Sequence, residues 1–358
     1  MIHDIIEGAA NWRAEDMLGR TDWIHDFTAE ELAELDAALA AVHRRGLGIE
    51  DVTSAAQFPL ERVAEQIDRA RWMLEEGPGL FHFRGIDTTR YSKDDLRLMY
   101  WGIGRHLGTA VSQSMRGDLL GDVRDLGVDI NSPQGRGYTS NAQLSYHTDS
   151  ADVVGLMVLR TAKSGGLSMI GSSVAIHNEI ARARPDLLEV LYQPFPWSWQ
   201  GQEPPGSKPW YLQPICIVHN GKKGVHQKQF SCRYIRAHIL NGGQFADAPP
   251  LTEKQVEAMD YFDQLACSER FHFSMMFKPG DIQLLNNHVC VHSRTHFEDF
   301  PERDRRRHLL RMWLSVPNSR ELGPAMATIY RDQGSGAVRG GFPSRSGGHV
   351  YETAAPAD

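Results

Sequence analysis

The sequence predicts a mainly β protein with flanking helices, its core a double-sheet jelly roll around one cavity. Two observations carry that prediction. From Asn141 to Val316 the chain runs in short apolar stretches broken by Gly, Pro and Asn, the texture of many short strands. Ahead of that region lie capped segments with apolar residues at helical spacing, suited to covering the outside of a sheet. With 358 residues and 41% hydrophobic content, the chain is long enough to bury a large core.

Three regions are expected: a helical region over residues 1–78, a β domain with a helical insert over 79–317, and a tail over 318–358. Thr28 caps a first helix with Glu31 three residues on, and Leu32, Leu35, Leu39 and Val42 form its stripe before Gly46. A second helix runs from about Leu60 to Leu74, with Val63, Ile67 and Ala70 inward, and stops at Gly77-Pro78-Gly79. Leu80–Phe83 is a short strand, and Ser92 caps a third helix reaching about Leu107. All of this is read as scaffold.

Strands follow at Val153–Arg160 and Leu167–Ile170, around a turn at Lys163-Ser-Gly-Gly166. Val174–Leu191 reads as one helix, ended by Pro194. The aromatic, proline-rich stretch from Phe195 to Tyr211 holds Trp197, Trp199, Trp210 and Tyr211, either a wall of a pocket or plain core. Ile215–His219 and Gln229–Ile235 flank a turn at Asn220-Gly221, and a helix opens at Leu251-Thr252 and reaches Ala266. Phe271–Phe277, Asp281–Leu285, Val289–Val291 and Arg307–Val316 complete the strands. The Gly-, Ser- and Arg-rich tail is expected to wrap the surface or to stay partly disordered.

Composition narrows the function. A net charge of -7 with no Lys/Arg-rich run argues against nucleic acid and anionic membrane as partners. The first residues carry acid where a secretory signal needs base, and no apolar stretch is long enough to span a bilayer. Cys216, Cys232, Cys267 and Cys290 show no Cys-x-x-Cys spacing, which suits reduced thiols in a cytoplasmic protein.

Chemistry concentrates at Leu144-Ser-Tyr-His-Thr-Asp-Ser150. His147 and Asp149, two apart on an extended segment, project to the same face. An imidazole and a carboxylate side by side supply two thirds of the two-histidine, one-carboxylate set that holds non-haem Fe(II). The same pair also fits a simple hydrogen-bonded His–Asp couple. Downstream, His288, His292 and His296 recur four apart, and the β-branched Val289 and Val291 favour a strand, on which His288 and His292 share a face. Spacing alone does not choose between them. In Arg306-Arg-His-Leu-Leu-Arg-Met-Trp313, Arg307, Leu309 and Arg311 share one strand face and His308, Leu310, Met312 and Leu314 the other. Two inward guanidinium groups call for an anion, whether a carboxylate ligand or Glu298 and Asp299 of the protein.

In this order and spacing, Tyr146-His-Thr-Asp149, Gly165-Gly166, Pro279-Gly-Asp281, Asn286-Asn287, Val291-His-Ser-Arg-Thr295 and Arg307-His-Leu-Leu-Arg311 resemble the taurine dioxygenase (TauD/TfdA-type) family of Fe(II)/2-oxoglutarate-dependent oxygenases. The likeness runs from about Leu80 to Val316. It implies a double-stranded β-helix of cupin-like form, with Fe(II), 2-oxoglutarate as cosubstrate, and O2. It implies His147, Asp149 and His292 as iron ligands, the distal histidine being the one before the small-Arg-Thr run. The implied cosubstrate contacts are Arg307, for the distal carboxylate, and Ser168, where the taurine enzymes carry threonine. Arg311 is the alternative to Arg307; in the taurine enzymes the arginine at that spacing meets the substrate sulfonate. The carboxylate of Asp149 implies hydroxylation, or a desaturation or cleavage that follows from hydrogen abstraction, since halogenases of this fold have a small residue there.

The expected partner is a small molecule with a polar or anionic group, for which Arg311, Arg233 and Tyr146 offer contacts; a homo-oligomer is compatible with the sequence. Two rival readings stand beside the oxygenase: a cupin-like metal-dependent isomerase or hydrolase that uses no oxygen, and a non-catalytic binding protein on the same fold.

Overall fold

The computed structural model describes residues 4–127, 139–219 and 229–353. Near the N-terminus a one-turn helix α1 (Ala14–Met17) precedes β1 (Ile24–Asp26). Helix α2 (Ala29–Arg44) starts at the expected capping box: the Thr28 hydroxyl accepts from the Glu31 N–H, and the Glu31 carboxylate accepts from the Thr28 N–H. Helix α3 (Arg62–Glu75), strand β2 (Leu80–Arg84) and helix α4 (Lys93–Leu107, capped by Ser92) lie where periodicity put them. Three strands in this half, β1, β3 (Thr109–Val111) and β4 (Leu120–Val123), were not anticipated. They are three or four residues long, too short to show a period of two.

Then come β5 (Val153–Arg160), β6 (Ser164–Gly165) and β7 (Ser168–Ser172). The stretch expected to be one helix from Val174 to Leu191 is two, α5 (Ser173–Ala183) and α6 (Pro185–Leu191). Pro185 has no N–H to continue the first helix but fits the first position of the second. The aromatic segment forms a hairpin of β8 (Phe195–Ser198) and β9 (Trp210–Gln213), and β10 (Cys216–His219) pairs with β11 (Gln229–Cys232). The turn expected at Asn220-Gly221 lies outside the described residues. Helices α7 (Arg236–Gly242) and α8 (Glu253–Ala266) precede β12 (His272–Met275), β13 (Ile282–Asn286), β14 (Cys290–Arg294), β15 (Phe297–Glu298) and β16 (His308–Ser315).

Two sheets face each other as a jelly roll. The larger has the order β1-β2-β13-β5-β16-β3, with β4 also paired to β16. The smaller is β12-β7-β14. Helices α3 and α4 cover the outer face of the large sheet. The outward side chains of β16 serve that packing: Leu310, Met312 and Leu314 are buried there, while His308 bonds the buried Asp122 at 2.5 Å. The glycine pair where β6 ends is required by geometry. Gly165 and Gly166 have φ of +72° and +74°, and a Cβ on Gly165 would sit 2.2 Å from the His296 carbonyl oxygen. Among the described residues, the tail forms a short helix α9 (Ala327–Tyr330), with Ile329 and Tyr330 buried, and then enters the core again at Arg339–Phe342. No helix of the described residues is long and apolar enough to cross a membrane.

Candidate active site

Between the sheets lies a cavity of about 880 Å³. The small sheet is extended toward it by residue 147. The His147 N–H donates to the His292 carbonyl at 3.0 Å, and the His292 N–H returns to the His147 carbonyl at 2.9 Å. This antiparallel bridge sets the two rings 4.3 Å apart, centroid to centroid. Asp149 follows two residues after His147, and its backbone N–H donates to Asn287 Oδ1 at 2.9 Å. One ligating atom from each of His147, Asp149 and His292 falls within 4.8 Å of the others.

Each donor is prepared for a cation. His147 Nδ1 lies 2.8 Å from the Ser145 carbonyl, which assigns the proton to Nδ1 and leaves the Nε2 lone pair available. Burial, reinforced by His147, pushes His292 down to about 3, so its imidazole is neutral at pH 7. Burial works against ionisation of Asp149, but Arg311, His292 and His147 together hold its carboxyl below the usual range. The Oδ2 of Asp149 is buried without a hydrogen-bond partner among the described residues, and His292 Nε2 is 3.9 Å away. An orphaned carboxylate oxygen beside two imidazole nitrogens fits a divalent transition metal.

The other candidate histidines fall elsewhere. His288 is fully buried in a polar knot, with Nε2 2.8 Å from Asp152 Oδ1, which also accepts from Arg339 Nε at 2.9 Å. His296 is exposed and offers its carbonyl to Gly166.

Both predicted arginines line the cavity. Arg307 is 5% exposed, and its Nη1 has no hydrogen-bond partner among the described residues. Asp299, the protein carboxylate expected as an alternative partner, accepts from the Arg307 backbone N–H at 2.7 Å and not from the guanidinium. Burial, with Arg294 adding to it, pushes Arg307 down to about 9 against the pull of Asp299. It stays a cation at neutral pH, held in a setting that an incoming carboxylate relieves. Arg311 differs. Its Nε donates to Gln113 Oε1 at 2.6 Å, and its Nη1 is 3.8 Å from Asp149 Oδ1. Ser168, on the small sheet, donates to Gln283 Oε1 on the large sheet at 2.8 Å, a bond across the cavity floor.

Arg233, read from sequence as a substrate contact, does not line the cavity. Its guanidinium is buried against the Trp197 ring and donates to the Tyr211 hydroxyl and to Ser150 Oγ. The aromatic segment divides: Trp199 lines the cavity, Trp197 bonds the Gln213 carbonyl in the core, and Trp210 bonds Asp247 at the surface. Sequence reasoning missed Gln113, Gln283 and Phe342, which all line the cavity. Gln283 sits in a strand of apolar neighbours, a signal available in the sequence. Phe342, between Gly341 and Pro343 in the tail, offered none.

A cluster of two histidines and a carboxylate that could hold a metal ion, inside a jelly roll, fits the class of the non-haem iron oxygenases. Within that class the chain belongs to the "Taurine catabolism dioxygenase TauD, TfdA family", whose model matches residues 44–313. FR-33289 synthase of Streptomyces rubellomurinus is 32% identical over 326 residues, covering 90% of this chain and 94% of that protein. A taurine hydroxylase-like protein of Stachybotrys chartarum is 28% identical over 311 residues, covering 84% of this chain and 77% of that one. Among solved structures, asparagine oxygenase with Fe(II), 3-hydroxyasparagine and succinate matches with a TM-score of 0.61 at 16% identity, over 82% of this chain and 93% of that one. The non-haem iron oxygenase OrfP with Fe and α-ketoglutaric acid matches with a TM-score of 0.58 at 15% identity, over 81% and 93%. The protein is a 2-oxoglutarate-dependent non-haem iron dioxygenase of that family.

Proposed function

We propose that this enzyme hydroxylates a C–H bond of a small molecule bearing an anionic group. In this reading His147, Asp149 and His292 hold the ferrous ion, and Arg307 receives the distal carboxylate of 2-oxoglutarate. One observation carries it: the triad shares its cavity with a buried arginine whose Nη1 has no partner among the described residues.

Bound Fe(II), with 2-oxoglutarate decarboxylated to succinate and CO2, supplies the activation of O2 and the hydrogen abstraction that the protein's own groups cannot. The chain's part is to bind, orient and keep dry. Arg307 would hold one end of the keto acid by a charge-assisted contact, and the Ser168 hydroxyl lines the same cavity. Arg311, steered by Gln113, keeps positive charge near Asp149, a setting suited to a substrate anion. Asp149 is the one carboxylate among the described lining residues, against several arginines, so the cavity as a whole favours anions. Trp199, Trp313 and Phe342 wall it from bulk water. The hydroxylated amino acids held by asparagine oxygenase and OrfP support hydroxylation as the outcome.

The test is anaerobic. Fe(II) and 2-oxoglutarate are added, the weak visible charge-transfer band is sought, and oxygen is then admitted with a panel of small anions while succinate is measured. A band followed by succinate that rises with one anion is expected. A metal-dependent reaction of a panel compound that proceeds without oxygen would favour the isomerase or hydrolase instead.

A further inference from the structure

Asp149 is the one member of the triad whose backbone carbonyl and N–H take no part in the His147–His292 bridge. Its aim depends on the loop that follows, residues 149–152, and that loop is gripped from two sides. On one side stands the turn between β13 and β14. Asn287 Oδ1 accepts from the Asp149 N–H at 2.9 Å, Asn287 Nδ2 donates to the Ala151 carbonyl at 3.0 Å, and the Asn287 N–H donates to the Asp152 carbonyl at 2.9 Å. On the other side stands the tail, beyond the stretch the family model matches. The Gly341 N–H donates to the Ser150 carbonyl at 2.6 Å, and Arg339 Nε donates to Asp152 Oδ1 at 2.9 Å. Asn287 is 1% exposed, so both of its side-chain bonds are made in a site closed to water.

We infer that Asn287 is a positioning residue for the metal centre, acting through the Asp149 backbone. Its amide fixes the peptide preceding the Asp149 Cα and so the direction in which the carboxylate leaves the chain. This rests on Asp149 being a ligand, as proposed above. A carboxylate aimed by a buried amide binds metal without first being ordered, and partners that orient ligands in this way typically account for 10–100-fold in metal affinity.

Asn286 provides the control, because it is the neighbouring residue, at the end of β13, and its side chain bonds Leu74, Glu75 and His288 rather than Asp149. Its amide donates to the Leu74 carbonyl and to Glu75, and its Oδ1 accepts from the His288 N–H. The experiment titrates Fe(II) anaerobically into wild type, Asn287→Ala and Asn286→Ala at saturating 2-oxoglutarate, following the charge-transfer band, with melting temperature recorded alongside. Both variants are expected to melt lower. Asn287→Ala is expected to bind Fe(II) at least about 10-fold more weakly, and Asn286→Ala within about 3-fold of wild type. Equal weakening in both, or none in Asn287→Ala, overturns the inference and leaves Asn287 a structural residue. If Asn287→Ala does not fold, Asn287→Gln carries the same test, since its amide oxygen is displaced by one methylene from the Asp149 N–H. A wild type that shows no band refutes the ligand reading itself, and with it this inference, whereas a wild-type band with an unchanged Asn287 variant refutes only the inference.

Discussion

His147 and His292 hold each other by the backbone, each N–H donating to the other's carbonyl at 3.0 and 2.9 Å. The spacing of their rings is thus set by a pair of main-chain bonds and depends little on side-chain contacts. A facial metal site needs that kind of rigidity, because a misplacement of about 1 Å is costly for both binding and catalysis. The carboxylate lies outside that bridge and is held instead through Asn287, which accepts from the Asp149 N–H at 2.9 Å, so it is an informative position to change.

Asp149→Ala is expected to reduce oxygen-dependent succinate formation to background. The loss should be accompanied by weaker Fe(II) binding, while the fold is kept. Circular dichroism and an anaerobic Fe(II) titration check this. Wild-type turnover in the variant would remove Asp149 from the metal site.

Arg307→Ala should raise the apparent KM for 2-oxoglutarate by about 10–100-fold, the range for losing a charge-assisted hydrogen bond of about 1.5–3 kcal/mol. Fe(II) binding should change much less. Arg311→Ala should instead act on the anionic substrate, since Arg311 already bonds Gln113 and sits beside Asp149. Steady-state kinetics in 2-oxoglutarate for the two variants separates the roles. The reverse pattern would exchange the two assignments.

Much of this site was legible in the sequence. The i, i+2 spacing of His147 and Asp149 on an extended segment, and of Arg307, Leu309 and Arg311 on β16, is enough to put those side chains on one face. Choosing His292 over His288 was not settled by spacing, because both fit a strand. The structure separates them by a partner: His288 meets Asp152 and Arg339 in the core, while His292 bridges to His147. Tertiary returns were invisible. Nothing local in Gly340-Gly-Phe342 says that it comes back to Ser112 and Ser150, and nothing in Arg233 says that Tyr211 and Ser150 satisfy it.

Phe342→Ala is expected to enlarge the cavity at the wall that Phe342 shares with Trp199 and Trp313, whose rings lie 6.4 and 6.1 Å from it. The order in which small anions stimulate succinate release should shift toward bulkier compounds, with the KM for 2-oxoglutarate within a few-fold of wild type. An unchanged order would take Phe342 out of substrate selection.

Stability should fall as the solution is acidified below about pH 6.5. Burial pushes His177, His288 and His308 down to about 4 each, against the opposing pull of Asn178, Asp152 and Asp122. In the unfolded chain these groups take protons below about pH 6.5, and in the folded protein only near pH 4. Their contribution is therefore complete above pH 6.5. It is lost as pH drops through the window between the two values, by up to about 1.4 kcal/mol per pH unit for each histidine. Urea denaturation at pH 7.5, 6.0 and 5.0 measures the slope, and His177→Phe should make it shallower. A flat profile would mean that these histidines take up protons in the folded protein over the same pH range as in the unfolded chain.

A crystal structure of the enzyme grown anaerobically with Fe(II) and 2-oxoglutarate tests the metal site and the Arg307 contact together. One metal ion is expected, coordinated by His147 Nε2, Asp149 and His292, with the keto acid chelating it and the distal carboxylate on Arg307. A metal bound at His288 or elsewhere, or a cosubstrate carboxylate resting on Arg311 with Arg307 still unpaired, would contradict these assignments.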